Sequence, residues 1–136
     1  MAKALGIVAL LLTIIAVDTL TLAVPVDARK HVRVINELGN EILLYVHCKS
    51  GDDDLGLHIL EYEQYQEWSF KNNLSGTTLF WCSLRWNDEQ QNIEVYNYRK
   101  DNKYCSSKCW RSIKKDGAYF YIETLDHWER KYWLWR

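Results

Sequence analysis

Between His31 and Ile122 apolar and polar residues alternate in short runs separated by turn signals, and no 11-residue stretch keeps a helical period. His31–Ile35 reads as a first strand. Glu37-Leu38-Gly39-Asn40 turns it into Ile42–Lys49, where Ile42, Leu44, Val46 and Cys48 share one face. Leu57–Leu60 and Tyr65–Phe70 follow, the latter with Trp68 and Phe70 on one side. The strongest strand pattern is Thr77–Trp86: Thr78, Phe80, Cys82, Leu84 and Trp86 face one way, Leu79 and Trp81 the other. Ile93–Tyr98, Cys109–Ile113 and Ala118–Ile122 complete the set, the last two joined through Lys114-Lys115-Asp116-Gly117, whose Asp-Gly pair favours a hairpin. Lys71–Gly76, Asn87–Gln91 and Arg99–Lys108 read as polar loops, and residues 127–136 as a C-terminal segment. Gly39, Gly51, Gly56, Gly76 and Gly117 all fall at proposed turns. The pattern predicts an all-β protein, a small antiparallel β-sandwich of about eight short strands.

The first residues break this pattern. Lys3 is followed by 13 residues, Leu5–Val17, that are almost wholly apolar. That suits a secretory signal peptide and falls short of the roughly 20 residues needed to cross a bilayer. Cleavage is expected after Ala23 or Ala28, giving residues 1–28 as signal peptide and 29–136 as a single domain that is extracellular, without membrane insertion. Cleavage after Ala28 leaves 16 basic and 16 acidic residues. So even a balance argues against bulk nucleic-acid binding.

Secretion changes the reading of the four cysteines, Cys48, Cys82, Cys105 and Cys109. An even count in an oxidising compartment predicts two disulfides. A zinc site is the competing reading, since Cys105-x3-Cys109 approaches ligand spacing, but Cys48 and Cys82 stand alone. Three pairings are open, and loop-closure entropy does not choose among them. The pairing carried forward is Cys48–Cys109 with Cys82–Cys105.

Little in the chain suggests catalysis. His31, His47, His58 and His127 are scattered, and no nucleophile elbow, His-Glu-x-x-His pair or phosphate-cradling glycine loop is present. No enzyme activity, cofactor or metal is expected. Asp52-Asp53-Asp54 has three readings: capping of turn amides, partner contact, and calcium, for which the ligand spacing is wrong. Trp68, Phe70, Phe80, Trp86 and Phe120 fall on core-facing parity. Trp81, Tyr96, Tyr98, Tyr119 and Tyr121 fall on the opposite parity, where rings suit protein or glycan contact. Asn73-Leu74-Ser75 is the acceptor sequon for N-glycosylation.

Taken together, these residues resemble the plant self-incompatibility protein family, the S-protein homologues. The resemblance rests on Val34-Ile35-Asn36-Glu37-Leu38, on Val46-His47-Cys48-Lys49-Ser50 with Asp52-Asp53-Asp54-Leu55-Gly56, and on Trp68-Ser69-Phe70. Thr78-Leu79-Phe80-Trp81-Cys82-Ser83-Leu84-Arg85-Trp86, Cys105, Cys109-Trp110 and Asp116-Gly117 complete it. Leu84 stands where the family often has an aromatic, a difference of packing. The resemblance implies a small, secreted, disulfide-bonded β-sandwich without enzymatic activity. In poppy, such a protein is a ligand for a pollen membrane protein, recognised through hydrophilic loops. By position those loops are Ser50–Gly56, Asn87–Gln91 and Arg99–Lys108. The expected partner-binding residues are therefore Asp52, Asp53, Asp54, Asn87, Asp88, Glu89, Arg99, Lys100 and Lys103, acting from a monomer on an unidentified plant cell-surface protein. The alternative is a secreted defence protein that binds microbial glycan or membrane.

Overall fold

The computed structural model describes residues 29–133. The expected signal peptide, 1–28, lies outside the described residues, as do 134–136 of the C-terminal segment. The alternating runs form strands β1 (Lys30–Asn36), β2 (Leu44–Ser50), β3 (Asp54–Leu60), β4 (Tyr65–Phe70) and β5 (Leu79–Trp86). They continue as β6 (Glu89–Asn97), β7 (Lys108–Lys114), β8 (Gly117–Ile122) and β9 (His127–Tyr132), with one helical turn, α1 (Tyr98–Asp101), between β6 and β7. Two sheets result, a five-stranded one in the order β4-β1-β7-β8-β9 and a four-stranded one in the order β3-β2-β5-β6.

The sheets stack face to face because one parity of each strand is apolar. Val32 and Val34 of β1, Val46 of β2, Leu84 of β5 and Ile113 of β7 are all fully buried. Ring contacts tie the layers together: Phe70 lies 4.7 Å from Phe80 and 4.9 Å from Tyr96, centroid to centroid. The predicted all-β sandwich is borne out, with refinements. The described residues hold nine strands rather than about eight, because His127–Tyr132, a charged run with no apolar alternation, pairs along β8. One pair, β1 with β7, is parallel. The intervening chain contains the whole second sheet and is ample for that crossover.

Three further expectations are corrected. The disulfides join Cys48 to Cys82 and Cys105 to Cys109, not Cys48 to Cys109 and Cys82 to Cys105. Register decides this: Cys48 of β2 faces Cys82 of β5 directly, with Cα atoms 4.0 Å apart, while Cys109 sits in the other sheet. Tyr96, expected on the outer parity, is fully buried. Pairing steps from Phe80↔Tyr96 to Trp81↔Glu94, so Val95 is an extra residue in β6, and this bulge turns Val95 and Tyr96 both inward. Finally, the Asn87–Gln91 connection is a tight turn at Asn87 and Asp88, with Glu89 already in β6; Asn87 takes a left-handed φ of 47°.

Candidate interaction surface

Strand register sorts the loops to the two ends of the sandwich. Ser50 pairs with Phe80, and Leu79 with Asn97, so the acidic loop after β2, the 71–78 loop before β5 and the α1 segment after β6 share one end. Lys30↔Phe70 and His31↔Lys108 bring the 105–108 stretch to the same end. The Asn87–Asp88 turn closes the other end of β5, roughly 23 Å away by strand rise. Of the predicted contact residues, Asp52, Asp53, Asp54, Arg99, Lys100 and Lys103 are thus brought together, and Asn87, Asp88 and Glu89 are not.

The acidic loop is shaped by its own side chains. Ser50 Oγ accepts the backbone N–H groups of Asp52 (3.3 Å) and Asp53 (3.1 Å), and Ser50 N–H donates to the Asp53 carbonyl at 2.8 Å. Asp54 Oδ1 accepts the Gly56 N–H at 2.9 Å and lies 2.5 Å from His47 Nε2. The Gly56 amide, then His47, hold the Asp54 carboxyl below the usual carboxylate range. The capping reading therefore belongs to Asp54. Among the described residues the Asp52 and Asp53 carboxylates are exposed and have no hydrogen-bond or ionic partner. Both line a groove of about 460 Å³ with Lys71, Asn73, Thr77 and the half-exposed Trp81. Asn73, the sequon residue, is exposed at that groove; its Oδ1 accepts the Thr77 N–H at 2.9 Å and its Nδ2 donates to Thr77 Oγ1 at 3.0 Å.

The basic segment is held from inside. Asn97 caps α1 by accepting the Arg99 N–H at 3.1 Å, and Asp101 Oδ2 accepts the Asn97 N–H at 2.7 Å. Asp101 Oδ1 lies 3.7 Å from Nη2 of Arg111, a residue only 1% exposed. Arg111 donates from Nε to the Val95 carbonyl at the β6 bulge (2.7 Å) and packs its guanidinium 3.9 Å from the Phe120 ring centre. Burial lowers the Arg111 pKa to about 10 and raises that of Asp101, each partly offset by the other's charge. Beyond the Cys105–Cys109 bridge, Lys30 Nζ donates to the carbonyls of Cys105 (2.6 Å) and Ser106 (3.2 Å). Glu123 Oε1 accepts the N–H groups of Ser106, Ser107 and Lys108 at 3.0, 3.0 and 2.8 Å. Burial pushes the Glu123 carboxyl up, but the three amides outweigh it and leave it below its ordinary range. Burial depresses the Lys30 ammonium, with Glu123 opposing.

Sequence reading missed Lys30, Arg111 and Glu123. For the first two a signal existed: Lys30 shares parity with Val32 and Val34, and Arg111 with Cys109 and Ile113. A cation on core parity has to find buried acceptors. Glu123 follows β8 in a 3-10 turn and carries no such mark.

The outer face of the five-stranded sheet carries a ladder of aromatics. Arg33 sits between Tyr65 (4.0 Å) and Trp110 (4.6 Å), Trp110 stacks on Tyr121 (5.6 Å), and Tyr121 meets Trp128 (5.3 Å). Ring faces in this ladder are turned to one another or to Arg33 and Lys108, and only the end rings, Tyr65 and Trp128, are exposed. The histidines do not converge. His47 is bonded to Asp54, His58 lies 3.0 Å from the Leu55 carbonyl, and His127 lies 3.2 Å from Glu129. Among the described residues no three His, Cys, Asp or Glu side chains are grouped to hold a metal ion, and no helix is long and apolar enough to cross a membrane.

The chain matches the family model for plant self-incompatibility protein S1 over residues 31–135. S-protein homolog 2 of Arabidopsis thaliana is 35% identical over 94 residues, 66% of this chain and 58% of that protein. The matched segment thus spans less than two thirds of that relative. S-protein homolog 21 of Arabidopsis thaliana is 36% identical, with 76% of this chain and 81% of that protein covered. Self-incompatibility protein S1 of Papaver rhoeas is 33% identical, with 72% of each covered. A solved self-incompatibility protein homologue, described as one of a widespread family of small, highly stable, secreted plant proteins, superposes with a TM-score of 0.54 at 23% identity, covering 68% of this chain and 83% of that one. That likeness bears on the fold; the family model and the relatives carry membership. The chain belongs to the plant self-incompatibility protein S1 family.

Proposed function

We propose that this chain, freed of residues 1–28, is an extracellular signalling ligand that recognises a plant cell-surface protein through one end of its sandwich. The observation that carries the reading is the sharing of that end by exposed, unpaired Asp52 and Asp53 and by exposed Arg99 and Lys103, all on backbone held from within. Loops fixed before contact lose less conformational freedom on binding. Opposite charges side by side set the orientation of a partner and speed encounter. Asn87, Asp88 and Glu89, at the far end, lie outside this proposed face. Asn73 is proposed as a glycosylation site bordering it.

The reading of an enzyme finds no support in the histidine geometry. The defence reading through stacked glycan rings is weaker than the ligand reading, because the aromatic ladder uses its ring faces internally.

The test uses tagged, oxidised mature protein on isolated plant plasma membranes, with unlabelled protein as competitor. Saturable, competable binding confined to particular tissues is expected, with weaker binding by Asp52→Asn/Asp53→Asn. Absence of saturable binding on every tissue, together with retention on chitin or anionic vesicles, would overturn the reading in favour of defence.

A further inference from the structure

A second cavity lies between α1 and the β8–β9 hairpin, at the edge strands β6 and β9. It encloses about 390 Å³, within the range of ligand-sized clefts. Arg99, Lys100, Lys103 and Lys131 line it against only two carboxylates, Glu94 and Asp101. Both carboxylates already have cations: Lys100 lies 3.4 Å from Glu94, and Arg111 lies 3.7 Å from Asp101. Lys131 is paired with Glu129 at 3.0 Å. Among the described residues Arg99 and Lys103 are left without an ionic partner. Arg99 lies in α1 and Lys103 two residues past its end, and both line the cavity.

Behind the cleft stands one more positive charge. Arg111 packs on Phe120 and faces Asp101, both of which line the cavity, and its buried Nη2 has no hydrogen-bond partner. Apart from Asn97, the rest of the lining is aromatic or aliphatic: Tyr104, Phe120, Ile122 and Tyr132. Unpaired cations at the rim over an apolar floor match a ligand that carries carboxylates next to an apolar side chain. A guanidinium fork suits a carboxylate in particular.

We infer that this cleft binds an acidic peptide segment, with carboxylates on Arg99 and Lys103 and a neighbouring apolar side chain against Tyr104 and Tyr132. The inference rests on the ligand reading above and names the chemistry of the partner's contacting stretch. The acidic groove and this cleft would then grip different parts of one partner.

The probe is a fluorescein-labelled octapeptide, Gly-Glu-Glu-Phe-Glu-Glu-Phe-Gly, titrated against the oxidised mature protein by fluorescence anisotropy. The control peptide has Gln at every Glu. Saturable binding is expected for the acidic peptide alone, weakening with added salt and falling at least tenfold in Arg99→Glu/Lys103→Glu. Both substitutions are at exposed positions, so an unchanged melting curve checks that the fold is intact. Equal binding of the Gln peptide, or indifference to the double variant, overturns the inference. So does failure of the peptide with binding of polygalacturonate, which would assign the cleft to acidic glycan. Peptide binding without saturable membrane binding would leave the cleft standing and remove the receptor reading. Membrane binding that neither the double variant nor excess peptide weakens would do the reverse.

Discussion

The acidic loop and the basic segment share one end of the sandwich, yet they are fixed by different means. The acidic loop is held locally: Ser50 Oγ and Asp54 Oδ1 bond amides within three residues of themselves. The basic segment has local caps at Asn97 and Asp101 but is also held from a distance. Lys30, 75 residues upstream, grips the Cys105 carbonyl, Glu123 binds three amides 15–17 residues before it, and Arg111 ties Asp101 to the β6 bulge. Local bonds shape a loop whatever the rest of the chain does. Distant charges shape one only after both sheets have formed. The basic face should therefore respond to fold-wide perturbation, and the acidic face should not.

The sharpest way to break this contrast is at Arg111. Arg111→Ala leaves Asp101 buried without its cation and the Val95 carbonyl without its donor, and should cost about 3–5 kcal/mol in denaturant unfolding. Asp101 titrates above its ordinary range in the native state, so the variant should regain part of that loss on acidification, when the orphaned carboxyl takes up a proton. Arg111→Met/Asp101→Leu, which removes both charges, should recover most of the loss. A loss below about 1 kcal/mol for Arg111→Ala would mean that the buried pair is dispensable.

How much of this was open to sequence reading follows the same division. Tyr65–Phe70 emerged with the bounds that alternation gave it, and the shared parity of Cys48 with Val46 and of Cys82 with Leu84 put both cysteines in the core. Parity says which face a residue takes, not which strand lies opposite, so the disulfide partners were not legible. Val95 illustrates a second limit: one inserted residue reversed the face of Tyr96, and nothing in Ile93-Glu94-Val95-Tyr96 marks a bulge. The acidic loop was legible because Ser, Asp and Gly favour the same turn chemistry in any context. The clasp around 105–108 was not, because its bonds span the chain.

A smaller effect is expected at Glu123. Glu123→Gln keeps the shape and one acceptor but removes the charge from three amide bonds, for about 1–2 kcal/mol after allowance for partial exposure. The native carboxyl is depressed, so its contribution is full above the unfolded pKa of about 4.3 and is lost as pH falls through the native value. The gap between wild type and Glu123→Gln in thermal melts should therefore be widest near neutrality and close below about pH 4. A gap that stays constant down to pH 3 would place the variant's effect elsewhere than in the carboxylate. Because the clasp orders the backbone after α1, Glu123→Gln should also speed amide exchange at Ser106, Ser107 and Lys108 while leaving Asp53 and Gly56 unchanged.

The smallest expected effect lies at the acidic loop itself, and it completes the contrast. Ser50→Ala removes one acceptor shared by two exposed amides that water can serve instead, so global stability should fall by about 0.5–1 kcal/mol. Asp54→Asn keeps an oxygen for the Gly56 amide but loses the charge facing His47, a change at a fully exposed group that should scarcely move the melting curve. Locally the picture reverses: in either variant amide exchange should rise at Asp52, Asp53 and Gly56 and stay as in wild type at Ser106–Lys108. If Ser50→Ala loosened both segments together, the two faces would form one cooperative unit and the distinction between local and distant support would fail. If only the acidic loop loosened, its order would be its own, and the sandwich would serve it by placing it beside the basic cleft rather than by shaping it.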